Sequence, residues 1–147
     1  MRVVVQRSGN SEVIVNNNIV GKIDKGLVIL VGFTQGDSLS DIEYLVKKII
    51  NLRIFSDDKG LLNKSILNIK GSILSISQFT LYADTKKGNR PSFTKSLNKD
   101  EALNLYNMFN DCLKKYVSVD TGIFGADMLV KINNEGPITI IIDSKDR

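Results

Sequence analysis

Four short runs of β-branched residues fill the first quarter of the chain, and they constrain its fold more than any other feature. The runs lie at residues 2–6, 12–15, 19–23 and 27–31, and three asparagines at residues 16–18 separate the second run from the third. Asparagine tolerates the left-handed backbone conformation that a tight hairpin needs. The pattern therefore predicts an antiparallel meander of strands.

Two later stretches have apolar residues at helical intervals. In the first stretch, Ser40 and Glu43 have the spacing of a capping box and open an amphipathic helix. Lys47 and Lys48 lie off its apolar stripe, on a face that we expect to be solvated. The second helix is predicted over residues 99–116, again with one apolar face.

The remaining segments predict loops and further strands. A loop at residues 56–65, rich in Asp, Gly and Asn, leads to an apolar strand that becomes polar at Ser77 and Gln78. Two strand-like segments close the chain, at residues 124–132 and 138–142. Together the patterns indicate an α+β fold, in which two main helices pack on a largely antiparallel, curved, barrel-like sheet.

The length and composition fit one globular domain over residues 1–147. Folding a chain of this size buries roughly two-thirds of the unfolded surface, which is enough for an independent core. The apolar runs are far shorter than the ~20 residues of a membrane span, and the charged N-terminus does not resemble a signal peptide. The single cysteine, Cys112, excludes an internal disulfide and is expected in the core. We therefore expect a cytoplasmic protein.

The chain contains no histidine, and this absence narrows its chemistry. It excludes Ser-His-Asp and Cys-His catalysis, a histidine general base and almost every catalytic zinc site. Asp and Glu residues are scattered rather than gathered at ligand spacing, so we expect no metal and no cofactor. The net charge of +4 permits an anionic partner without requiring one.

The segment SQFT, comprising Ser77, Gln78, Phe79 and Thr80, is the first candidate for chemistry. A hydroxyl nucleophile in it would lack a histidine to take its proton. Backbone N–H groups at the end of a strand, however, can stabilise an oxyanion without any titratable side chain. An ordinary strand end with a capped turn is the alternative.

Two loops are the other candidates. The loop at residues 84–95 carries four cations and is either a solvated loop or a contact for phosphates, with nothing that would read bases. Its cations are Lys86, Lys87, Arg90 and Lys95. In the second loop, Pro137 follows Gly136 at the start of a strand. A proline there either opens a strand on a sheet edge or belongs to a cis peptide bond, and the sequence leaves both open.

Six segments together resemble D-aminoacyl-tRNA deacylase, in order and at matching separations. They are QR at residues 6–7, RIFSD at 53–57, SQFTL at 77–81, RPSF at 90–93, TGIFGADM at 121–128 and NEGPIT at 134–139. The resemblance runs across essentially the whole chain. The combination of SQFTL with N-x-GP-x-T, about fifty residues apart, makes it specific.

The resemblance implies a homodimeric hydrolase that cleaves the ester between a D-amino acid and the terminal adenosine of tRNA. It also implies that the enzyme clears glycine from mischarged tRNA. A cis bond between Gly136 and Pro137 of one subunit would enter the site of the other, where two carbonyls leave no room for an L side chain. Arg7 would anchor this loop, with an ordinary salt bridge as the alternative.

The same resemblance implies that Ser77, Gln78, Phe79 and Thr80 line the ester pocket and hold the terminal adenosine and the scissile carbonyl. Backbone N–H groups near Phe79 and Thr80 would polarise the carbonyl, while the 2′-hydroxyl of the substrate ribose helps to activate water. A covalent role for Thr80 is ranked lower, because no base or terminal amine is visible to activate it.

The alternative function is a non-catalytic module that binds aminoacyl-tRNA ends through the same pocket. The fold also resembles editing domains attached to some aminoacyl-tRNA synthetases, but the single domain here favours a free-standing enzyme. The expected partners are aminoacyl-tRNA, met at its 3′-terminal adenosine, and a second copy of the chain. We expect no membrane partner and no DNA partner.

Overall fold

A computed structural model describes residues 1–86 and 88–147, and Lys87, one cation of the predicted basic loop, lies outside the described residues. Two α-helices, α1 (Leu39–Asn51) and α2 (Lys99–Lys114), and one 3₁₀ turn (Phe79–Tyr82) accompany the strands. The strands are β1 (Arg2–Ser8), β2 (Ser11–Val15), β3 (Asn18–Ile23), β4 (Gly26–Gly32), β5 (Phe55–Ser56), β6 (Leu62–Lys64), β7 (Ser72–Ser77), β8 (Val119–Thr121), β9 (Leu129–Lys131) and β10 (Asn134–Asp143).

The main sheet has five strands in the order β10-β1-β4-β7-β8. Strand β1 pairs antiparallel with β4 and β10, whereas the β4–β7 and β7–β8 pairs are parallel. The two parallel pairs are joined through α1 and α2, the crossovers that parallel strands require. A second sheet, β3-β2-β9, is antiparallel, and β5 and β6 form a hairpin. The predicted α+β architecture is confirmed, with described sheets that are open rather than closed into a barrel.

The four strands predicted in the first quarter are present, but the predicted meander is wrong, because β1 pairs with β4 and not with β2, which lies in the second sheet. All four strands lie where the β-branched runs predicted them, and β2 pairs with β3 through the asparagine turn. Asn16 and Asn17 have φ values of 49° and 64°, the left-handed conformation that asparagine tolerates. The asparagines and the β-branched runs therefore both predict the β2–β3 hairpin.

The core lies between the main sheet and the two helices. From α1 it receives Ile42, Leu45 and Ile49, and from α2 it receives Phe109 and Leu113, all fully buried. A smaller apolar cluster fills the opposite face of the main sheet, against β2 and β9. Neither helix of the described chain is long and apolar enough to cross a membrane.

Strand β4 is buried on both faces. Leu27, Ile29 and Val31 belong to the helix-side core, whereas Val28 belongs to the cluster on the opposite face. A strand covered on both sides reads as a continuous apolar run, and GLVILVG has that composition. Strand β4 is therefore the layer shared by both halves of the molecule.

The predicted start of α1 was wrong by two residues. The helix begins at Leu39, and its cap is Ser38 rather than Ser40. Asp41 Oδ2 accepts hydrogen bonds from the backbone N–H of Ser38 at 2.9 Å and from its hydroxyl at 3.0 Å. The carboxylate of Asp41 stands three residues after Ser38, as a capping box requires, and Glu43 is left exposed.

The predicted strand over residues 124–132 was also wrong, because only Leu129–Lys131 is extended. Gly125 has a φ of 75°, so the chain turns there instead of continuing a strand. The loop predicted at residues 56–65 contains part of the short β5–β6 hairpin. Cys112 is half-buried and packs against the core, and Lys47 and Lys48 are exposed as expected.

Asp41 links the start of α1 to the C-terminal segment. Besides Ser38, its carboxylate contacts Lys145 Nζ at 3.1 Å and Arg147 Nη2 at 3.4 Å. Burial alone would raise the pKa of Asp41, but hydrogen bonds from Ser144, Lys145 and Ser38 outweigh burial and hold the pKa below its ordinary value of 3.8. The ionised form is thus stabilised by folding.

Asp41→Asn should lower the free energy of unfolding by about 2 kcal/mol at pH 7, because charged hydrogen bonds and a helix cap are lost. A lowered pKa in the folded state stabilises the protein above pH 3.8, and this contribution is lost as the pH falls through the folded-state value. The gap between wild type and variant should therefore narrow in acid, as measured by urea denaturation. Asp24→Asn, at an exposed carboxylate, is the control. A gap that does not change with pH would contradict this assignment.

Candidate active site

A cavity of about 500 Å³ opens at the carboxyl ends of the parallel strands β4 and β7. Its walls come from these two strand ends, the 3₁₀ turn, the start of α2 and residues 124–128. Carboxyl ends of neighbouring parallel strands are a common place for ligand sites, because the chain turns away from the sheet there and leaves a crevice. Three of the predicted residues, Ser77, Gln78 and Phe79, line the cavity.

The SQFT segment leaves the sheet as a tight turn that rests on β4. Gln78 N–H donates to Val31 O at 2.7 Å, which continues the parallel pairing for one more residue. The chain then enters the 3₁₀ turn. A Cβ at Gly32 would lie 2.8 Å from Gln78 O and 3.1 Å from Leu81 Cβ, so only glycine admits this close approach. Gly32 thus sets the position of the turn.

Phe79 and Thr80 are the first two residues of the 3₁₀ turn. The leading N–H groups of a helical turn have no acceptor within it, so they remain as donors at its front. Both residues are exposed, and Phe79 lies in the cavity wall. The arrangement leaves two main-chain donors at the front of a turn that borders the cavity.

No general base among the described residues forms a hydrogen bond with the hydroxyl of Thr80. Among the described residues, the recorded hydrogen-bond partner of its Oγ1 is the side-chain amide of Gln78, which donates to it. A neutral amide is too weak a base to remove the proton of a threonine hydroxyl. The geometry therefore gives Thr80 no activated hydroxyl.

Residues 124–128 and Lys99 form walls that the sequence-based list of site residues missed. A Cβ at Gly125 would lie 3.4 Å from Lys99 Cε, and one at Gly122 would lie 2.4 Å from Met128 Sδ, so both glycines allow close contact. The sequence contained one signal of this turn. Gly125 lies within the stretch 124–132 that was read as a strand, and Gly122 stands three residues before it.

The cavity has few charges. Lys99 and Asp127 are the charged side chains among its described lining residues. Within residues 1–86 and 88–147, no group of three or more Cys, Asp or Glu side chains is placed to hold a metal ion. The chemistry that this wall can supply consists mainly of hydrogen bonds and orientation.

Gly136 and Pro137 lie in a four-residue bulge of β10. The register of β1 and β10 shifts so that four residues of β10, 135–138, face the single residue Arg7. The Gly136–Pro137 peptide bond is cis, and both residues are exposed. Strand β10 also pairs only with β1 in the described sheet, so the proline stands on a sheet edge.

Arg7 supports this bulge from beneath. Its Nη1 donates to Ile54 O at 3.0 Å, and its Nη2 would lie 3.1 Å from a Cβ at Gly136. Asn134 Nδ2 donates to Arg7 O and to Ile138 O, both at 3.0 Å, and so ties the two ends of the bulge together. The Nε of Arg7 is buried and has no partner among the described atoms.

The seven predicted site residues thus fall into two groups. Ser77, Gln78, Phe79 and Thr80 gather at the cavity and its rim, whereas Arg7, Gly136 and Pro137 do not line it. Within one chain, the structure does not bring the bulge to the SQFT turn.

Comparisons with known proteins match nearly the whole length of the chain. The model of the family described as D-Tyr-tRNA(Tyr) deacylase matches residues 4–143. A solved structure described as c-Myc DNA unwinding element binding protein is 37% identical, with a TM-score of 0.92 over 97% of this chain and 98% of that chain. A probable eukaryotic D-amino acid tRNA deacylase is 20% identical and shares the fold, with a TM-score of 0.81 over 96% and 97%.

Tyr106 fixes β7 just before the SQFT turn. Its buried hydroxyl donates to Ser75 O at 2.8 Å. Tyr106→Phe should lower the free energy of unfolding by about 1 kcal/mol, the usual net value of one such hydrogen bond. Tyr116→Phe, on the exposed face just after the same helix, is the matched control and should change stability by less than about 0.5 kcal/mol. Equal effects of both substitutions in urea denaturation would contradict this role.

Proposed function

This chain belongs to the D-Tyr-tRNA(Tyr) deacylase family, and we propose that it hydrolyses the ester bond of D-aminoacyl-tRNA, in trans, to release the amino acid and the tRNA. The observation that carries the proposal is the cavity beside β4 and β7, whose wall contains the SQFT turn with its leading N–H groups. A cavity of about 500 Å³ has room for an aminoacyl-adenosine. In this proposal the 3′-terminal adenosine of the tRNA occupies the cavity.

The backbone of the SQFT turn supplies the chemistry in this proposal. The N–H groups of Phe79 and Thr80 donate to the carbonyl oxygen of the ester as negative charge develops on it, while Ser77 and Gln78 hold the adenosine. One well-placed donor contributes ~3 kcal/mol to transition-state stabilisation. Water attacks the carbonyl with help from the 2′-hydroxyl of the substrate ribose. An aminoacyl ester is already reactive, so orientation and oxyanion stabilisation suffice.

Selection against L-amino acids is assigned to Gly136 and Pro137 of a second subunit. In a homodimer, the bulge of one chain enters the cavity of the other, and its main chain occupies the space that an L side chain would need. The exposure of both residues and their separation from their own cavity support this assignment. Arg7 and Asn134 hold the bulge in shape from below. Glycine, which has no side chain to exclude, is a further substrate.

A non-catalytic module that binds aminoacyl-tRNA ends is the alternative use of the same cavity. Such a module would need the cavity and the basic loop at residues 84–95, but it would not need N–H groups that donate to the ester carbonyl. Release of free amino acid separates the two functions. We place the enzyme in the cytoplasm, where charged tRNA is used for translation.

DNA binding is a second candidate, favoured by the description of the structure that is 37% identical to this chain. The basic loop would attract the phosphates of DNA and of RNA by the same electrostatic mechanism. Nothing in the loop offers a pattern for reading bases, so we expect no sequence-specific DNA partner. Competition between duplex DNA and aminoacyl-tRNA at physiological salt distinguishes the two functions.

Purified protein should hydrolyse D-aminoacyl-tRNA faster than the L form by at least roughly 100-fold, since a clash with a fixed main chain is hard to relieve. Pro137→Ala should reduce this ratio, because the proline ring restricts the backbone of the bulge. Pro91→Ala changes the only other proline of the chain and should leave the ratio unchanged. Release of labelled amino acid from both substrates measures the effect. Equal rates for D and L forms with wild type would exclude chiral selection.

Thr80→Ala should keep kcat within about threefold of wild type, because the main-chain N–H remains and no base activates the hydroxyl. Thr85→Ala, at an exposed threonine outside the cavity wall, serves as the control. Single-turnover hydrolysis of D-aminoacyl-tRNA gives the rate. A loss of roughly 1000-fold or more, with the fold intact, would instead establish Thr80 as a nucleophile.

A further inference from the structure

The net positive charge of the chain equals that of one segment, whose residues Leu97 and Lys99 line the cavity. Residues 84–99 contain five Lys or Arg residues and one carboxylate, a net charge of +4 that equals the net charge of the whole chain. The other 131 residues carry fifteen cations and fifteen carboxylates. This segment, named the basic segment below, runs from the end of the SQFT turn to Lys99 in the cavity wall.

Two exposed phenylalanines meet where the basic segment passes the cavity. Phe79 is 56% exposed and Phe93 is 40% exposed, and their rings pack edge to face with centroids 5.0 Å apart. Phe79 lines the cavity, whereas Phe93 stands outside the lining. The pair therefore extends the apolar wall of the cavity outward to its rim.

Several contacts hold the pair in place. Ser96 Oγ donates to Phe79 O at 2.9 Å, which joins the basic segment to the SQFT turn. Asp84 and Ser92 exchange two backbone hydrogen bonds of 2.8 and 2.9 Å, and Lys95 Nζ contacts the carboxylate of Asp84 at 2.8 Å. Phe93 thus directly follows a bridge that joins Asp84 to Ser92, and its ring packs on Phe79.

We propose that the Phe79–Phe93 pair is the stacking platform for the base that precedes the terminal adenosine of the RNA. The inference rests on the proposed function, because it takes the terminal adenosine to lie in the cavity. The next nucleotide then leaves past Phe79 and reaches Phe93, and its phosphates face the cations of the basic segment. Aromatic faces bind bases by stacking, without base-specific hydrogen bonds.

Charge complementarity and position select this occupant. A nucleotide combines an apolar ring with an adjacent anion, and the rim of the cavity presents an aromatic pair of which one member, Phe93, belongs to the segment of net charge +4. The amino acid of the substrate is a poorer match, because Phe93 lies outside the cavity wall. The other alternative occupant of the Phe79–Phe93 pair is a second copy of the chain, and sedimentation distinguishes it from RNA.

The kinetic test compares two substrates that differ by one nucleotide, a D-aminoacyl-adenosine and a D-aminoacyl dinucleotide. Phe93→Leu should raise KM for the dinucleotide about tenfold, equivalent to ~1.4 kcal/mol, and leave kcat unchanged. It should leave KM and kcat for the adenosine ester unchanged, which also shows that the variant is folded. Phe93→Tyr should behave as wild type. Tyr116→Leu, which removes a 56% exposed aromatic ring away from the cavity, is the matched control.

A binding test does not depend on hydrolysis. Short RNA with 2-aminopurine in the penultimate position should lose fluorescence on binding the wild type, because stacking quenches the probe, and should retain it with Phe93→Leu. Equal effects of Phe93→Leu on both esters, no effect on either, or a change of oligomeric state in sedimentation would each overturn the platform. If wild type hydrolyses no ester at all, the proposed function fails, and the fluorescence result alone then decides for or against the platform.

Discussion

Strand β4 is buried on both faces, and the helices, the second sheet and the cavity all depend on its position. Its two ends are glycines that meet neighbouring main chain. A Cβ at Gly26 would lie 1.8 Å from Ser72 O, and one at Gly32 would lie 2.8 Å from Gln78 O. These contacts set how closely β7 runs beside β4. The same contacts position the SQFT turn that follows β7. The packing of the core therefore also positions the backbone N–H groups of this turn.

Much of the fold could be predicted from the sequence because local preference and burial pattern agree there. The β-branched runs specify the first four strands, the asparagine turn specifies the β2–β3 hairpin, and the apolar stripes specify both helices, whereas the pairing of β1 with β4 instead of β2 depends on tertiary contacts. The errors lie where tertiary contacts override local pattern. Asp41 caps α1 at Ser38 while it also contacts Lys145 and Arg147, far away in sequence. The three-residue strand β8 is held by its parallel neighbour β7. So short a strand has too few residues for a periodic pattern to predict it.

The candidate site was predictable in part for similar reasons. The polar break after β7 identified the SQFT segment, because an apolar strand that turns polar marks the end of a buried strand. Residues 124–128 were missed as a wall, since their role follows from a turn at Gly125 that brings them against Lys99. The bulge at 135–138 arises from a shift in register against Arg7, which a single strand pattern does not encode. Two of the motifs that resemble the deacylase family, TGIFGADM and NEGPIT, include residues 124–128 and 135–138. The spacing of the motifs in the sequence did not predict where either region lies in the fold.

The uneven distribution of charge has a consequence for how the protein meets RNA. A body with balanced charges and one cationic end possesses an electric dipole moment, and an approaching polyanion exerts a torque on it. The protein is then turned toward the nucleic acid during diffusion, before any atom touches. Added salt weakens that torque within about one Debye length, ~8 Å at physiological ionic strength. Rapid encounter and productive orientation would thus share one origin, a sixteen-residue segment whose C-terminal end lines the cavity.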